Sequence, residues 1–304
     1  MTLSEALRSV GSRTRGRLGR IIQEACDNVQ GGGHLSETFN RHPRVFSPLQ
    51  LSLVRAGESG GLIDQMVDRI ASYLEYELSI RRHIAKAMFY PIIIFAVILL
   101  RPIIVPLVIG GPAAGLAALL ATIRYTLLPL LVYVIILKLL FQFRPVRLVW
   151  DFVKLQLPWV GTTARKIAMS RFSRALAVLY SAGLSMSEAV SVSADACANL
   201  ALAGRIKKAI PDLQAGVGLT TSLEKTGAVT PMVLDMLTSG EKTGSTDLVL
   251  HKVADYTDDE VDVTISKMGI VLFVSAILIA GVLVAMQLVS FYGGYFDKLL
   301  GSGG

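Results

Sequence analysis

The sequence predicts an all-α, polytopic membrane protein: two homologous cytoplasmic helical bundles with three transmembrane helices. Three observations predict it. First, a motif occurs twice. Ala56-Gly57-Glu58-Ser59-Gly60-Gly61 returns as Ser239-Gly240-Glu241-Lys242-Thr243-Gly244, and each copy is followed by an amphipathic helix and then an apolar run. Second, 52% of the 304 residues are hydrophobic and 17% are charged, with a mean hydropathy of +0.55; ordinary soluble domains carry roughly 25% charged residues. Third, apolar residues recur at helical spacing, and no strand-like alternation persists.

The duplication holds residue by residue. An offset of 183 takes Leu3-Ser4-Glu5-Ala6-Leu7 to Met186-Ser187-Glu188-Ala189-Val190 and Ser47-Pro48 to Thr230-Pro231. It also takes Asp64 to Asp247, Arg69 to Lys252, Ala71 to Ala254, Tyr73 to Tyr256 and Glu77 to Glu260. Leu35 and Phe39 match Leu219 and Leu223 with a slip of one. A nearly constant offset over most of a domain indicates that one unit was duplicated.

The elements follow in order. Residues 1–86 form the first cytoplasmic bundle. From Ala87 to Phe141 the only charged residues are Arg101, Arg124 and Lys138. That stretch holds two spans of about 20 residues each, at 87–109 and 119–141, broken near Gly110-Gly111-Pro112. Residues 142–267 form the second bundle, 268–292 the third span and 293–304 an extracytoplasmic tail. The N-terminus is polar and enters a helical pattern directly, without the pattern of a signal peptide. Arg81, Arg82 and Lys86 abut the first span, Arg144, Arg147 and Lys154 follow the second, and Lys267 precedes the third. Basic residues beside spans stay on the cytoplasmic side, which places both bundles in the cytoplasm of a cell (inner or plasma) membrane protein. Arg101 lies in the outer half of the first span, where it either snorkels to the interface or pairs inside the bundle.

The net charge of +7 does not indicate nucleic acid. The first cytoplasmic segment has 12 Lys+Arg against 9 Asp+Glu and the second 14 against 13, so the surplus sits beside the spans and at Arg13, Arg15, Arg17 and Arg20. Basic residues beside spans fit anionic lipid contacts, so membrane lipids are expected partners, whereas the Arg13–Arg20 cluster reads as a solvated helix face rather than a specific site.

Within the bundles, Ile63, Met66, Val67, Ile70, Leu74 and Leu78 share one helix face, opposite Asp64, Asp68, Glu75 and Ser79. Leu248, Val249, Val253 and Tyr256 continue that logic in the second copy. Ala182-Gly183 ends a helix begun near Arg171, and Ser185 or Ser187 suits the next N-cap. Gly31-Gly32-Gly33 and Gly216-Val217-Gly218 are breaks, and Pro43, Pro48, Pro211 and Pro231 mark helix starts or ends. From Leu62 a helix runs without a break to Pro91 and enters the membrane at Tyr90-Pro91.

The repeated turn has two readings. Gly57 and Gly240 can take the left-handed conformation that stops a helix, and Glu58 and Glu241 then lie near a following N-terminus, where negative charge is favoured. Gly61 and Gly244 supply the tight turn. Alternatively, Glu58 and Glu241 are exposed acidic contacts for a partner.

No catalytic constellation is present in the sequence. Cys26 and Cys197 are single, and His34, His42, His83 and His251 lack metal-ligand spacing. Gly31-Gly32-Gly33-His34 lacks the Lys-Ser/Thr that completes a phosphate loop. Asp255, Asp258, Asp259, Glu260 and Asp262 form either the polar face of a helix or an attraction for a divalent cation. No cofactor and no enzyme activity are expected.

Several segments carry a family resemblance: Arg55-Ala56-Gly57-Glu58-Ser59-Gly60-Gly61-Leu62, Ile70-Ala71-Ser72-Tyr73-Leu74-Glu75 and Ala87-Met88-Phe89-Tyr90-Pro91 in the first half. Phe172-Ser173-Arg174-Ala175-Leu176, Tyr180-Ser181-Ala182-Gly183-Leu184 and Gly240-Glu241-Lys242-Thr243-Gly244 carry it in the second. In this order they resemble the type II secretion system F / type IV pilus PilC inner-membrane platform family, over almost the whole chain. The resemblance implies two cytoplasmic six-helix bundles in a membrane-embedded homo-oligomer. It also implies docking onto a hexameric assembly ATPase, onto pilins or pseudopilins, and onto other inner-membrane assembly proteins. The implied function is a non-enzymatic platform coupling the ATPase to pilin or pseudopilin polymerisation and protein secretion. A small transporter built from parallel repeats is the competing reading, disfavoured because the duplicated mass is mostly soluble. Two departures stand out. The family's first bundle opens with a helix like Arg171 to Gly183, whereas Met1-Thr2-Leu3-Ser4-Glu5 matches the position after it, so either the start is truncated or the first bundle is one helix short. Ser245 stands where Leu62 stands in the first copy.

Overall fold

The computed structural model describes residues 2–140 and 160–301. All regular structure in these residues is helical, with no strand among them. In chain order the α-helices are α1 (Leu3–Arg13), α2 (Arg17–Gln30), α3 (Leu35–Arg41), α4 (Pro48–Gly60), α5 (Ile63–Thr122) and α6 (Leu128–Leu140). They continue as α7 (Val160–Ser181), α8 (Met186–Ala196), α9 (Leu200–Ile206), α10 (Ile210–Gln214), α11 (Leu219–Glu224), α12 (Pro231–Thr243) and α13 (Thr246–Gly301).

Local chemistry sets the boundaries. Ser47 accepts from the Gln50 amide while the Gln50 side chain accepts from the Ser47 amide, and Pro48 occupies the first turn of α4. This capping box satisfies two amides that the first turn leaves orphaned. Ser185, one of the two predicted caps, accepts from the Glu188 amide. Gly183 and Gly216 end their helices at φ of 85° and 84°. Inside α5 the one non-helical residue is Gly111, with φ 77° and ψ −174°, at the predicted Gly110-Gly111-Pro112 break. Pro91, Pro102 and Pro106 lie within the helix.

Two compact units are distinguished by their internal contacts. Among the described residues the first joins 2–78 with 160–261, and the second joins 79–140 with 262–301. In the first unit a continuous core takes side chains from both copies of the repeat. Leu49, Leu53, Met66 and Tyr73 from the first copy cluster with Phe172, Leu176 and Leu179 of α7 and with Leu223, Val233, Leu237, Leu250 and Val253 of the second. A smaller cluster gathers Ala25, Leu35 and Val54.

The predicted single apolar face of α5 divides in two. Met66 and Tyr73 are buried, but Val67, Leu74 and Leu78 are exposed at 45, 42 and 49%. Leu248 is likewise exposed, while Val253 is buried. Period 3.6 identifies a helix, but it does not say which of two adjacent apolar stripes meets the core.

One helix stretch, Thr246–Met286, contains a window long and apolar enough to cross a membrane. A bent pair, Ile63–Ile98 with Pro102–Val108, passes the same test jointly. Arg144, Arg147 and Lys154, the side chain of Arg101 and the end of the second predicted span at 141 lie outside the described residues. The backbone of α13 is helical to Gly301, through the described part of the predicted tail.

Candidate functional site

Both repeated turns lie in the first unit, and they are built alike. The left-handed residue is not Gly57 or Gly240 but Gly61, with φ 68°, and Gly244, with φ 69°. Leu62 N–H donates to the Gly57 carbonyl at 2.9 Å, and Ser245 N–H donates to that of Gly240 at 3.1 Å. These are six-to-one closures of the kind that end helices on a left-handed glycine. Gly57 and Gly240 instead serve close approach. A Cβ on Gly57 would lie 2.8 Å from Met66 Cγ and 3.1 Å from Ile63 Cα; on Gly240 it would lie 2.8 Å from Val249 Cβ. Met66 and Val249 are themselves repeat partners.

Glu58 and Glu241 cap helices to which they do not belong. Glu58 sits in α4, not at the start of the helix after the turn. Its Oε1 accepts from Leu35 N at 2.5 Å and from Ser36 N at 3.3 Å, at the N-terminus of α3. Its side chain is 9% exposed, with His34 Nδ1 at 3.7 Å. In the second copy the Glu241 carboxylate oxygens both lie 3.3 Å from Thr220 N, at the N-terminus of α11. The N-cap residues there, His34 and Gly218, make no side-chain cap of their own. A glutamate 20-odd residues downstream replaces them, and a carboxylate suits the free amides and the positive end of the helix dipole. A Cβ on Gly218 would crowd Glu241 Oε1 at 3.1 Å, so glycine there leaves room for the carboxylate.

A second polar array, not anticipated from the sequence, lines α7. Arg174 Nε donates to Asp258 Oδ2 at 3.1 Å, and Nη2 bonds Asp258 and also Asp255 Oδ1, the latter at 2.9 Å. Ser170 Oγ donates to Asp258 Oδ1 at 2.7 Å and bonds the Tyr76 hydroxyl. The Arg174 guanidinium stands 5.3 Å from the Tyr76 ring centroid. Arg171 pairs with Glu77 at 2.9 Å, Lys166 with Glu260 at 3.2 Å, and Ser181 Oγ lies 2.5 Å from Asp247 Oδ1 and 2.9 Å from His251 Nε2. Thus α7 is held by the first copy through Tyr76 and Glu77 and by the second through Asp247 to Glu260. Within the Asp255–Asp262 cluster, Asp255 and Asp258 share Arg174, while Glu260 pairs with Lys166. Among the described residues no three His, Cys, Asp or Glu side chains converge as a metal site. Arg171 and Arg174 at i and i+3 on one helix, with Asp255 and Asp258 at the same spacing on another, were the available signal for this array.

In the second unit, Tyr90 and Pro91 border a cleft of about 610 Å³ with His83, Lys86, Asp262 and Phe273. Tyr90 is 64% exposed and meets the Phe273 ring edge-on at 6.1 Å. His83 Nδ1 and Asp262 Oδ1 are 2.8 Å apart. A Cβ on Gly269 would lie 3.1 Å from Ala87 Cβ, so the backbones of α5 and α13 approach closely there, as small residues permit.

These features define a class: an all-helical protein with a candidate membrane span, in which one helical unit closed by a Gly-Glu turn occurs twice. The family model described as Type II secretion system (T2SS), protein F, matches residues 1–110 and 172–293. The chain belongs to this type II secretion protein F family. It is 34% identical to a type IV pilus assembly protein PilC of Thermus thermophilus, over 99% of this chain and 79% of that protein. It is 28% identical to a type II secretion system protein F of Vibrio cholerae, over 88% of this chain and 70% of the relative. A type IV pilus assembly protein PilC of Pseudomonas aeruginosa is also 28% identical, over 88% of this chain and 79% of its own length.

Proposed function

We propose that this chain is a non-enzymatic inner-membrane platform of a type II secretion or type IV pilus machine. It couples a hexameric assembly ATPase on the cytoplasmic side to the polymerisation of pilins or pseudopilins. The observation that carries this reading is family membership over both copies of the repeat, with a PilC relative matched along 99% of the chain. In this reading residues 1–86 and 142–267 are cytoplasmic, 87–109, 119–141 and 268–292 span the membrane, and the chain self-associates beside other inner-membrane assembly proteins and lipids. The helices that leave the repeated turns, α5 and α13, then carry motion from the ATPase side toward the spans. Glu58 and Glu241 hold the neighbouring helices α3 and α11 by their N-termini, and in this reading the work of the chain is mechanical.

Deletion tests the reading. Loss of fibre or of secreted protein is expected, together with co-purification of the hexameric ATPase encoded nearby. Retention of both phenotypes with no ATPase binding would sink the platform reading, and substrate flux by the purified protein in liposomes would favour the transporter. A cysteine at residue 114 should react with an impermeant reagent from outside, and cysteines at 60 or 243 should not.

A further inference from the structure

In the second unit α5 and α13 run side by side, and the residues that meet advance in one direction: His83 with Asp262, Ala87 with Gly269, Tyr90 with Phe273. The cleft of about 610 Å³ between them has two ends of opposite chemistry. His83, Lys86, Asp262 and Ser266 line one end, and Tyr90, Pro91, Ile270 and Phe273 line the other. The change falls at residues 87 and 268, where the sequence places the starts of the first and third spans. Every charged side chain and imidazole of the lining precedes those positions, and no lining residue after them carries charge.

Charge at the polar end is uneven. His83 Nδ1 and Asp262 Oδ1 lie 2.8 Å apart, so the carboxylate has its partner within the cleft. Lys86 is exposed and has no ion-pair partner among the described residues. The repeat sets the two walls apart here. The position 183 after Lys86 is Gly269, so one copy brings a cation and the other a stretch of backbone without a side chain. Tyr90 and Phe273 are also repeat partners. They stand just past the cation, and tyrosine is favoured where its ring meets the apolar layer and its hydroxyl the headgroups.

We infer that this cleft holds an anionic phospholipid of the cytoplasmic leaflet, with its phosphodiester on Lys86 and its acyl chains along Pro91, Ile270 and Phe273. The polar and apolar ends match the headgroup and chains of a lipid standing in its leaflet. The volume falls within the roughly 300–1,000 Å³ of small-molecule sites, and basic pockets between spanning helices on the cytoplasmic side take lipid headgroups. With Asp262 engaged by His83, the uncompensated charge is the single cation Lys86, which suits a phosphate that no ammonium accompanies. A second copy docked here would instead bring another Lys86 toward this one, and like charges disfavour that pairing. The inference rests on the reading in which residues 87 and 268 begin spans; to that reading it adds a lipid that joins α5 to α13 at the point of entry.

The test titrates the purified full chain in detergent with phosphatidylglycerol or phosphatidylcholine and counts retained lipid by native mass spectrometry. Saturable retention of phosphatidylglycerol, in preference to phosphatidylcholine, is expected. Lys86→Ala should weaken it about tenfold or more, the worth of a charge-assisted hydrogen bond, and Lys86→Arg should keep most of it. Arg81→Ala removes an exposed cation that does not line the cleft and should leave retention nearly unchanged. Inorganic phosphate should not displace the lipid. Equal retention of the two lipids, equal losses from Lys86→Ala and Arg81→Ala, or displacement by phosphate overturns the inference. So does a disulfide between two copies of a Tyr90→Cys chain in membranes, which gives the cleft to a second copy. A chain that stays in solution without detergent refutes the spans themselves, whereas one that needs detergent yet retains no lipid refutes this inference alone.

Discussion

A carboxylate that caps a distant helix ties two stretches of chain together with a single side chain. Removing Glu58 leaves the amides of Leu35 and Ser36 without their acceptor in a nearly buried site. Glu58→Ala should therefore cost about 1–2 kcal/mol, with faster hydrogen exchange at those two amides as the local readout, and Glu58→Gln should recover part of it by keeping an acceptor. Gly240→Ala should be worse than Gly57→Ala. The atom it meets is the Cβ of Val249, fixed to the backbone, whereas Gly57 meets chiefly the flexible Met66 side chain; overpacking of this kind costs roughly 1–3 kcal/mol. A third residue-scale expectation concerns pH. The hydrogen bond from His42, and then the charges of His42 and Arg41, hold Glu24 below its ordinary 4.5. A lowered carboxyl pKa contributes stability above the unfolded value and loses it as pH falls through the folded one. The α2–α3 contact should weaken below pH 4.5, and Glu24→Gln should flatten that dependence in an NMR titration. The capping role of Glu58 was not legible in the sequence, because local cap signals reach three residues and this one reaches over 20.

At the scale of elements, the boundaries were the legible part. Ser47-Pro48, Ser185, Gly183, Gly216 and the Gly111 break all act through their own backbone neighbours, so local reading finds them. The packing of α5 and α7 was not legible, because it is decided by distant partners. α5 carries two apolar stripes, and only tertiary contact selects Met66 and Tyr73 over Val67 and Leu74. α7 carries Arg171 and Arg174, whose partners lie more than 80 residues away on two other helices. Burial raises the Asp258 carboxyl pKa, while the hydrogen bonds from Arg174 and Ser170 oppose that rise. This residue precedes the charge-free stretch of α13, and its ionised form depends on Arg174. Arg174→Ala should therefore cost about 2–3 kcal/mol, since it strands a mostly buried carboxylate. Arg174→Lys should cost somewhat less, because lysine keeps the charge but not the fork. A double-mutant cycle with Asp258→Asn should show coupling above about 0.5 kcal/mol; additivity within that limit would mean the pair is incidental.

At the scale of the whole molecule, a core shared by both repeat copies makes them one cooperative unit. Leu53 of the first copy and Leu237 of the second belong to the same cluster, and Cys197 is buried within it. Burial pushes the Cys197 thiol up to about 12, so near neutral pH it is neither ionised nor reachable, and thiolate is the reactive form. Its modification then reports opening of the core. Leu53→Ala and Leu237→Ala should each cost about 2–5 kcal/mol, as expected for emptying a fully buried leucine site. Independent copies would let only Leu237→Ala accelerate labelling of Cys197, because both lie in the second copy. A shared core requires Leu53→Ala, on the other side of the duplication, to accelerate it by a comparable factor. Leu74→Ala, on the exposed stripe of α5, should leave the rate unchanged. The measurement is the rate of Cys197 modification in a Cys26→Ser chain under mild denaturant. A rate insensitive to Leu53→Ala would show that the duplicated halves unfold separately, with α7 belonging to the second alone.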